Sequence, residues 1–476
     1  LCGVWGQSPH RKSRRRFPET EVAVDRRREG NDRGCVGACP SAILFRMRVA
    51  IQTWGTEGDV RPFFALGSAL RARGHSVRVV YTSIEARDFS PLADACGIEA
   101  SSVGASYFEQ NRARLAERAR VSLLARSPLT QVRSILEDLM DPVAPLMLDA
   151  GRAIAKDADV FISHFLSYPG HVAADRERCP HVMVGLVPML PSSHYGPIGV
   201  PSLGRLFSRL AYRLAWWLGN RAFESMFGPR IQTLRAQVGL PELKRVLDPD
   251  LERTRLALIG VSPSLFPPPP DWSERAHVCG FLSLPEQAER WVPEGELAAF
   301  LDAGPPPAFL SFGSLFNLDL ERTATLVDLL GDAVERAGQR GIIQAPEAVI
   351  AAARPRSSIH YLVRAPHVHL FPRCSVVVHH GGAGTTQSAL LAGRPSIVVP
   401  HAADQFYWGD VLARCGAGVK PLRATQLTVE RLASRLEEVA RRPELRTRAE
   451  ALSAQLASEN GAERAATLIE GALPQL

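Results

Sequence analysis

Ser375-Val376-Val377-Val378-His379-His380-Gly381-Gly382-Ala383-Gly384-Thr385-Thr386 is the stretch whose reading decides the fold. Its first four residues are a short apolar run rich in β-branched side chains, the pattern of a buried strand. The glycine-rich loop His379 to Thr386 follows. Gln387-Ser388-Ala389-Leu390-Leu391-Ala392 then reads as a helix closed by Gly393, and Pro395 precedes a further strand, Ser396-Ile397-Val398-Val399. Strand, glycine loop and helix N-terminus in succession bind phosphate. Glycines let the backbone approach the ligand closely, and the free N–H groups and dipole of the helix favour negative charge. No Lys follows the last glycine, so the loop is not a Walker A sequence, nor does it match the G-x-G-x-x-G dinucleotide fingerprint. An isolated His-His pair in such a loop would ordinarily be a turn satisfied by its own backbone. The strand and helix around this pair favour phosphate contact instead.

The alternation continues on both sides. Strand patterns recur near 308–312, 341–344, 375–379 and 396–400. On the N-terminal side, Arg48-Val49-Ala50-Ile51-Gln52-Thr53 reads as a strand and Gly55 to Asp59 as a loop. A helix is expected near 62–73, with Pro62 in its first turn and Gly74 at its end. Val77 to Tyr81, Val160-Phe161-Ile162 and Val182-Met183-Val184 are further strands. Such alternation predicts α/β architecture with parallel, doubly wound sheets. Residues 262–272, Ser-Pro-Ser-Leu-Phe-Pro-Pro-Pro-Pro-Asp-Trp, cannot continue a helix or a central strand and read as a linker. The expected organisation is an N-terminal Rossmann-like domain over 47–261, a linker over 262–275 and a C-terminal Rossmann-like domain over 276–476. The last helix is expected to pack back on the first domain. Ligands of open α/β sheets bind at the carboxyl ends of the strands, here in the cleft between the two halves.

The 476 residues suit two to three domains at about 100–200 residues each. With 46 % apolar and 22 % charged residues the composition is that of an ordinary globular protein. The formal charge of +7 is concentrated at the start, since residues 1–46 hold ten Lys/Arg against five Asp/Glu. The remainder is near neutral, which argues against a nucleic-acid partner. Residues 1–46 read as a disordered basic extension or a start-site artefact preceding Met47, with a functional basic tail as the competing reading. The eight cysteines are mostly isolated, as in a reduced, cytoplasmic protein. Cys35 and Cys39 lack the second ligand pair that a zinc site needs. No run of 18 apolar residues exists, so no transmembrane helix is expected. Nor does an apolar segment follow Arg14-Arg15-Arg16 as a secretion signal requires.

The segment 365–409 resembles the GT-B glycosyltransferases of family 1, in the subgroup of sterol 3-β-glucosyltransferases and antibiotic (macrolide and glycopeptide) glycosyltransferases. The residues that carry the resemblance are Ala365-Pro366-His367, Leu370 to Cys374, the His379–Thr386 loop and Asp404-Gln405, and the likeness extends from about Met47 to Pro421. It implies two Rossmann-like domains facing a cleft and a nucleotide-diphosphate sugar, UDP-glucose first among the candidates, as co-substrate. It implies no metal and no other cofactor. By the same resemblance His380 contacts the donor diphosphate, and Gly381, Gly382, Ala383, Gly384 and Thr385 surround it. Asp404 and Gln405 hydrogen-bond the sugar hydroxyls. Gly313 and Ser314, within Ser311-Phe312-Gly313-Ser314, lie near the nucleotide. Val363 and Arg364 meet the base, with Arg364 at a position where plant relatives carry Trp. For Asp404 the competing reading is a surface loop residue.

Glycosyl transfer by single displacement needs a base for the acceptor hydroxyl, worth about 10²–10⁴-fold. Many relatives place a histidine in Gly-His-x-x-Pro after the first strand. Here the segment is Gly58-Asp59-Val60-Arg61-Pro62, and in the sterol and antibiotic subgroup the aspartate is assigned as base. A free Asp titrates at about 3.9, which burial in a cleft would raise. Asp59 could equally be an N-cap, whose N–H contacts would lower it; the two roles are compatible. His75 reads as structural, and no role follows for Glu57. Asp157-Ala158-Asp159 matches the metal motif of a different glycosyltransferase fold, but polar residues often precede a buried strand.

The acceptor side is weakly encoded. His164, at the end of the 160–162 strand, and Met189, in the loop Val187 to Pro191, are the candidates, each with a packing role as the alternative. Residues 203–218 form an amphipathic helix with Leu203, Leu206, Phe207, Leu210, Leu214, Trp217 and Leu218 at i, i+3, i+4 spacing and a stripe of Arg205, Arg209 and Arg213. Such a helix usually covers its own domain. The alternative is peripheral contact with the inner face of a membrane. The function expected is an inverting, metal-independent transfer of a hexose to a hydrophobic hydroxylated acceptor such as a sterol, lipid or polyketide. A sugar-nucleotide epimerase of the same fold and a non-catalytic partner of a true transferase are the alternatives, both disfavoured by the intact Gly58-Asp59 and donor loop. A dehydrogenase is weaker still, since Gly55-x-x-Gly58 is not the dinucleotide fingerprint. Oligomeric state is not encoded.

Overall fold

The computed structural model describes residues 46–124, 128–198, 208–248, 251–285, 291–313, 316, 320–401 and 404–473. The extension before Met47, Ser314 and the helical start expected at Leu203, Arg205, Leu206 and Phe207 lie outside the described residues, apart from Arg46.

Among the described residues, strands form two sheets, both wholly parallel. The first contains β1 (Arg48–Gly55), β2 (Ser76–Ser83), β3 (Glu99–Ser102), β4 (Val160–His164), β5 (His181–Gly185), β6 (Leu256–Ile259) and β7 (Ala276–Val278), in the order β3-β2-β1-β4-β5-β6-β7. The second contains β8 (Ala308–Ser311), β9 (Gly341–Gln344), β10 (Ile359–Leu362), β11 (Val376–His379) and β12 (Ser396–Val398), in the order β10-β9-β8-β11-β12. Register is set by apolar pairs such as Val49 with Val77 and Val160, and Val378 with Leu310 and Ile397. Helices cover both faces, so central strands are buried throughout, as parallel sheets demand. Alternation along β1 divides the layers. Val49 and Ile51 pack under the helix Glu57–Ala72, and Ala50 packs towards the helices Ala144–Ala155 and Tyr168–Glu177. Two doubly wound α/β domains result.

Three boundaries differ from the sequence reading. The first helix starts at Glu57, not near 62, because Thr56 caps it and the Asp59 side chain reaches back to the Thr56 backbone N–H. Pro62 therefore stands in the second turn. The strand Ala276–Val278, which a boundary at 276 assigns to the C-terminal domain, pairs with β6 in the first sheet, so the crossing lies after Val278. The proline-rich stretch is not a free tether either. Phe266 is buried, Trp272 Nε1 donates to Pro191 O at 3.2 Å, and Asp271 accepts from Ser192 Oγ and Ser193 N, both at 2.7 Å.

The helix Gly461–Ala472 lies against Glu57–Ala72, burying Ala465, Ala466 and Ile469 in the first domain's core. Arg73 and His75 both engage Glu470, His75 Nε2 at 2.7 Å, while His75 Nδ1 accepts from Met47 N. His75 is a structural residue.

Candidate active site

In each sheet the strand order reverses once, between β1 and β4 and between β8 and β11. A crevice opens at the carboxyl ends of the strands at such switch points. The residues singled out in the sequence sit there: Gly55 to Asp59 from the end of β1, His164 at the end of β4, Gly313 after β8 and His379 to Thr385 from the end of β11. The two loops meet. A Cβ on Gly384 would stand 3.6 Å from the Gly58 Cα, so the N-termini of the helices Glu57–Ala72 and Ala383–Leu391 approach across the cleft.

Asp59 is the third residue of its helix, and Thr56, not Asp59, is the cap. Its Oδ2 accepts from Thr56 N at 2.8 Å and Thr56 Oγ1 at 2.9 Å. A side chain at Gly55 (φ 133°) would collide with that carboxylate. Burial pushes the Asp59 pKa up, against the two Thr56 hydrogen bonds that pull it down. The helix-end and titration readings therefore coexist, with burial prevailing.

Across the cleft, β11 delivers the glycine loop. His379 belongs to the strand, and its Nδ1 accepts from Gly381 N at 3.1 Å. Gly381 has φ 97°, and a Cβ there would stand 2.8 Å from Gln405 O, so only glycine fits. His380 sits in a slot kept open by Gly313 and Gly382, whose Cβ atoms would approach its ring to 3.0 and 2.5 Å. Burial lowers its imidazole to about 3, helped by His401 and His367, so the ring is neutral, and its Nδ1 is buried without a protein partner. Gly382 is the N-cap residue of Ala383–Leu391. Backbone N–H groups in the first turn, from Ala383, Gly384 and Thr385, have no acceptor within the helix.

Asp404 precedes the helix Gln405–Arg414, and Gln405 Oε1 accepts from His401 N at 2.8 Å. Burial pushes Asp404 up to about 7, and the Asp59 carboxylate is the second cause. Two carboxylates from the two domains thus share one region of the cleft. A carboxyl with a raised folded-state pKa favours the native state at low pH and costs stability as pH rises from about 4 to about 7. Asp404→Asn is accordingly expected to stabilise the unliganded protein by about 1–2 kcal/mol at about pH 8, with the gain shrinking towards pH 5. The full shift would correspond to about 4 kcal/mol, but solvent in the cleft screens it. Thermal melts across that range check this, and a gain independent of pH would exclude Asp404 as the titrating group.

Arg364, expected at the nucleotide base, reaches across the cleft, where its Nη2 donates to Glu57 Oε1 at 2.8 Å. Glu57 also pairs with Arg61 and Arg87. Residue pairing that the sequence did not suggest thus gives Glu57 a place: it ties the two domains together beside Asp59. Glu85 joins this group, with burial raising its pKa and Glu57 adding to the rise. Val363 is exposed, and beside it a hollow of about 550 Å3 is lined by Trp291, Leu362, His360 and Arg364.

The acceptor candidates fare differently. His164 is buried and neutral, its pKa lowered to about 3 by burial, and its ring packs on Phe63 and Phe165. This geometry favours the packing role. Met189 folds over Gly185 and joins Phe165 and Leu190 in an apolar cluster that also takes in Leu390 and Trp408 of the second domain. Asp159 accepts from Arg48 N at 2.7 Å and Arg48 Nη2 at 3.0 Å. This ties it to the amino-terminal edge of β1 and β4, at the opposite end of the strands from the switch point. Among the described residues no group of three or more His, Cys, Asp or Glu side chains could hold a metal ion.

Residues 348–471 match the family of erythromycin biosynthesis protein CIII-like C-terminal domains. The chain is 30 % identical to the O-mycaminosyltylonolide 6-deoxyallosyltransferase of Streptomyces fradiae over 446 residues, covering 89 % of this chain and 97 % of that protein. It is 27 % identical to a sterol 3-β-glucosyltransferase of Arabidopsis thaliana, covering 90 % of this chain and 68 % of that one. The solved glycosyltransferase of kitacinnamycin shares the fold, with a TM-score of 0.62 at 21 % identity over 90 % of this chain and 99 % of that one. With a glycine loop opening a helix and an aspartate at the two switch points, and a relative matched over nearly its whole length, the chain belongs to the family 1 GT-B glycosyltransferases, in the subgroup of sterol 3-β-glucosyltransferases and antibiotic glycosyltransferases.

Proposed function

We propose that this glycosyltransferase moves a hexose from UDP-glucose to a hydroxyl of a hydrophobic acceptor, with inversion and without a metal. The observation that carries the reading is the meeting of Gly58-Asp59 with the helix N-terminus at Gly384. In this reading the C-terminal domain holds the donor. Ala383, Gly384 and Thr385 offer N–H groups to the diphosphate, His380 adds an imidazole donor, and Asp404 and Gln405 face the sugar. Val363, Arg364 and Gly313 border the nucleoside. The N-terminal domain, from Met47 to beyond Val278, holds the acceptor against the apolar wall of Phe165, Met189 and Leu190.

The acceptor oxygen attacks the anomeric carbon, its proton passes to the Asp59 carboxylate, and the bond to the β-phosphate oxygen breaks as UDP leaves. Helix dipoles and the imidazole stabilise the leaving charge, a role that metal ions fill elsewhere. Burial raises the Asp59 pKa and makes it a stronger base once ionised.

Mass spectrometry of products from UDP-glucose with a panel of sterols, macrolactones and phenolics tests the proposal. A hexose adduct is the expected result. Transfer from a thymidine-diphosphate sugar alone would overturn the choice of donor while preserving the reaction. Failure to bind any nucleoside diphosphate would overturn the reading as a whole.

A further inference from the structure

The helix Ser208–Gln237 has two unlike faces. Its inner face is satisfied: Tyr212 and Trp216 are buried, Trp216 Nε1 donates to Tyr195 O at 2.8 Å, and the Tyr195 ring packs on Phe266 and Trp272. Its outer face carries Leu210, Leu214, Trp217 and Leu218, which are 73 %, 55 %, 56 % and 55 % exposed. The spacing i, i+4, i+7, i+8 places them in one stripe. Soluble surfaces seldom gather large apolar side chains in this way unless something covers them.

Charge indicates what the cover is. Arg221 lies within the stripe, its guanidinium 5.5 Å from the centre of the Trp217 ring, and Arg213 and Arg209 are exposed along one flank of it. No Asp or Glu occurs between Ser208 and Phe223. Leucines and a tryptophan interleaved with arginines suit the headgroup boundary of an anionic bilayer, where the apolar atoms enter the acyl region and the guanidinium groups meet phosphates. A partner protein would offer the apolar contact, but nothing on this face supplies the mixed charge that fixes a protein register.

We infer that this helix docks the enzyme on an anionic phospholipid surface and that the hydrophobic acceptor is a hydroxylated lipid drawn from that bilayer. The second half rests on the acceptor reading above. The inner face of the same helix covers the Tyr195, Phe266 and Trp272 group, which shares its apolar cluster with Met189 and Leu190. A docked helix would thus bring the acceptor side of the cleft next to the membrane.

The test uses the full chain and vesicles of phosphatidylcholine and phosphatidylglycerol in equal parts, against phosphatidylcholine alone, with neither donor nor acceptor present. Wild type is expected to sediment with the anionic vesicles only. Each arginine near the surface contributes about fivefold to partition, so Arg209→Gln with Arg213→Gln and Arg221→Gln should lower binding by about 10²-fold. Leu214→Ser with Trp217→Ser should lower it comparably, and both variants should keep wild-type turnover on a water-soluble phenolic acceptor. Wild type that ignores anionic vesicles, or variants that bind like wild type, would overturn the docking. So would a wild-type homodimer in sedimentation velocity that Trp217→Ser dissolves, since a second copy would then cover the face. Because binding is read without substrates, vesicle binding with no transfer to any bilayer-borne acceptor would overturn the acceptor half alone.

Discussion

Asp59→Asn is expected to lower kcat by about 10²–10⁴-fold, while the affinity for UDP by titration calorimetry changes less than about threefold. The asymmetry follows from the geometry. Asparagine is nearly isosteric, and its side-chain oxygen can still accept from Thr56 N and Thr56 Oγ1, as Asp59 Oδ2 does at 2.8 and 2.9 Å. The helix start, and with it the approach of Gly58 to Gly384, is retained. What disappears is the ability to take the acceptor's proton. Wild-type kcat/KM should fall as pH drops through the Asp59 pKa, which burial holds above the usual carboxylate range. Asp404, with a pKa of about 7, adds a second titration nearby, so the acid limb should be broader than one ionisation gives. Full turnover in Asp59→Asn would show that another group, or solvent, receives the proton. Joint loss of turnover and UDP affinity would assign Asp59 a role in shaping the loop.

What the sequence made legible tracks how local the signal was. The strand, glycine loop and helix around His380 are legible because every cue lies within about twenty residues: the Val376–Val378 run, the three glycines, Gly393 and Pro395. The start of the first helix was misplaced because Pro62 is a conspicuous marker, whereas the Thr56–Asp59 pair that begins the helix uses Asp in place of the more familiar Glu or Gln. Strands β6 and β7 span only four and three residues. Such runs carry too little pattern to separate strand from loop, and that is why the proline-rich stretch passed for a domain linker. The position of His164 at a strand end leaves cleft and packing roles open, and alternation cannot show that its ring meets Phe63. The ion pair of Arg364 with Glu57 joins residues 307 apart in sequence. It could not be inferred from either neighbourhood, and neither could the electrostatic coupling of Asp404 to Asp59.

His380→Ala should carry the second large effect, a fall in kcat/KM of about 10²–10³-fold. Here the affinity for UDP should weaken too, by roughly tenfold, which separates it from Asp59→Asn. The ring is half-buried, neutral and held by close packing against Gly313 and Gly382, and its Nδ1 is buried without a protein partner. A buried unpaired polar atom in so tight a slot is costly, and a diphosphate in the cleft would satisfy it. An anion at that position also favours the protonated ring, so UDP binding should be accompanied by proton uptake and should strengthen as pH falls towards 6. The alanine variant should lose that pH dependence. His380→Gln, which restores an N–H donor but cannot take up a proton, should recover part of the affinity and none of the slope. If alanine leaves UDP binding and its pH dependence intact while turnover collapses, the imidazole acts on the sugar or the acceptor, and the N–H groups of Ala383, Gly384 and Thr385 hold the diphosphate without it.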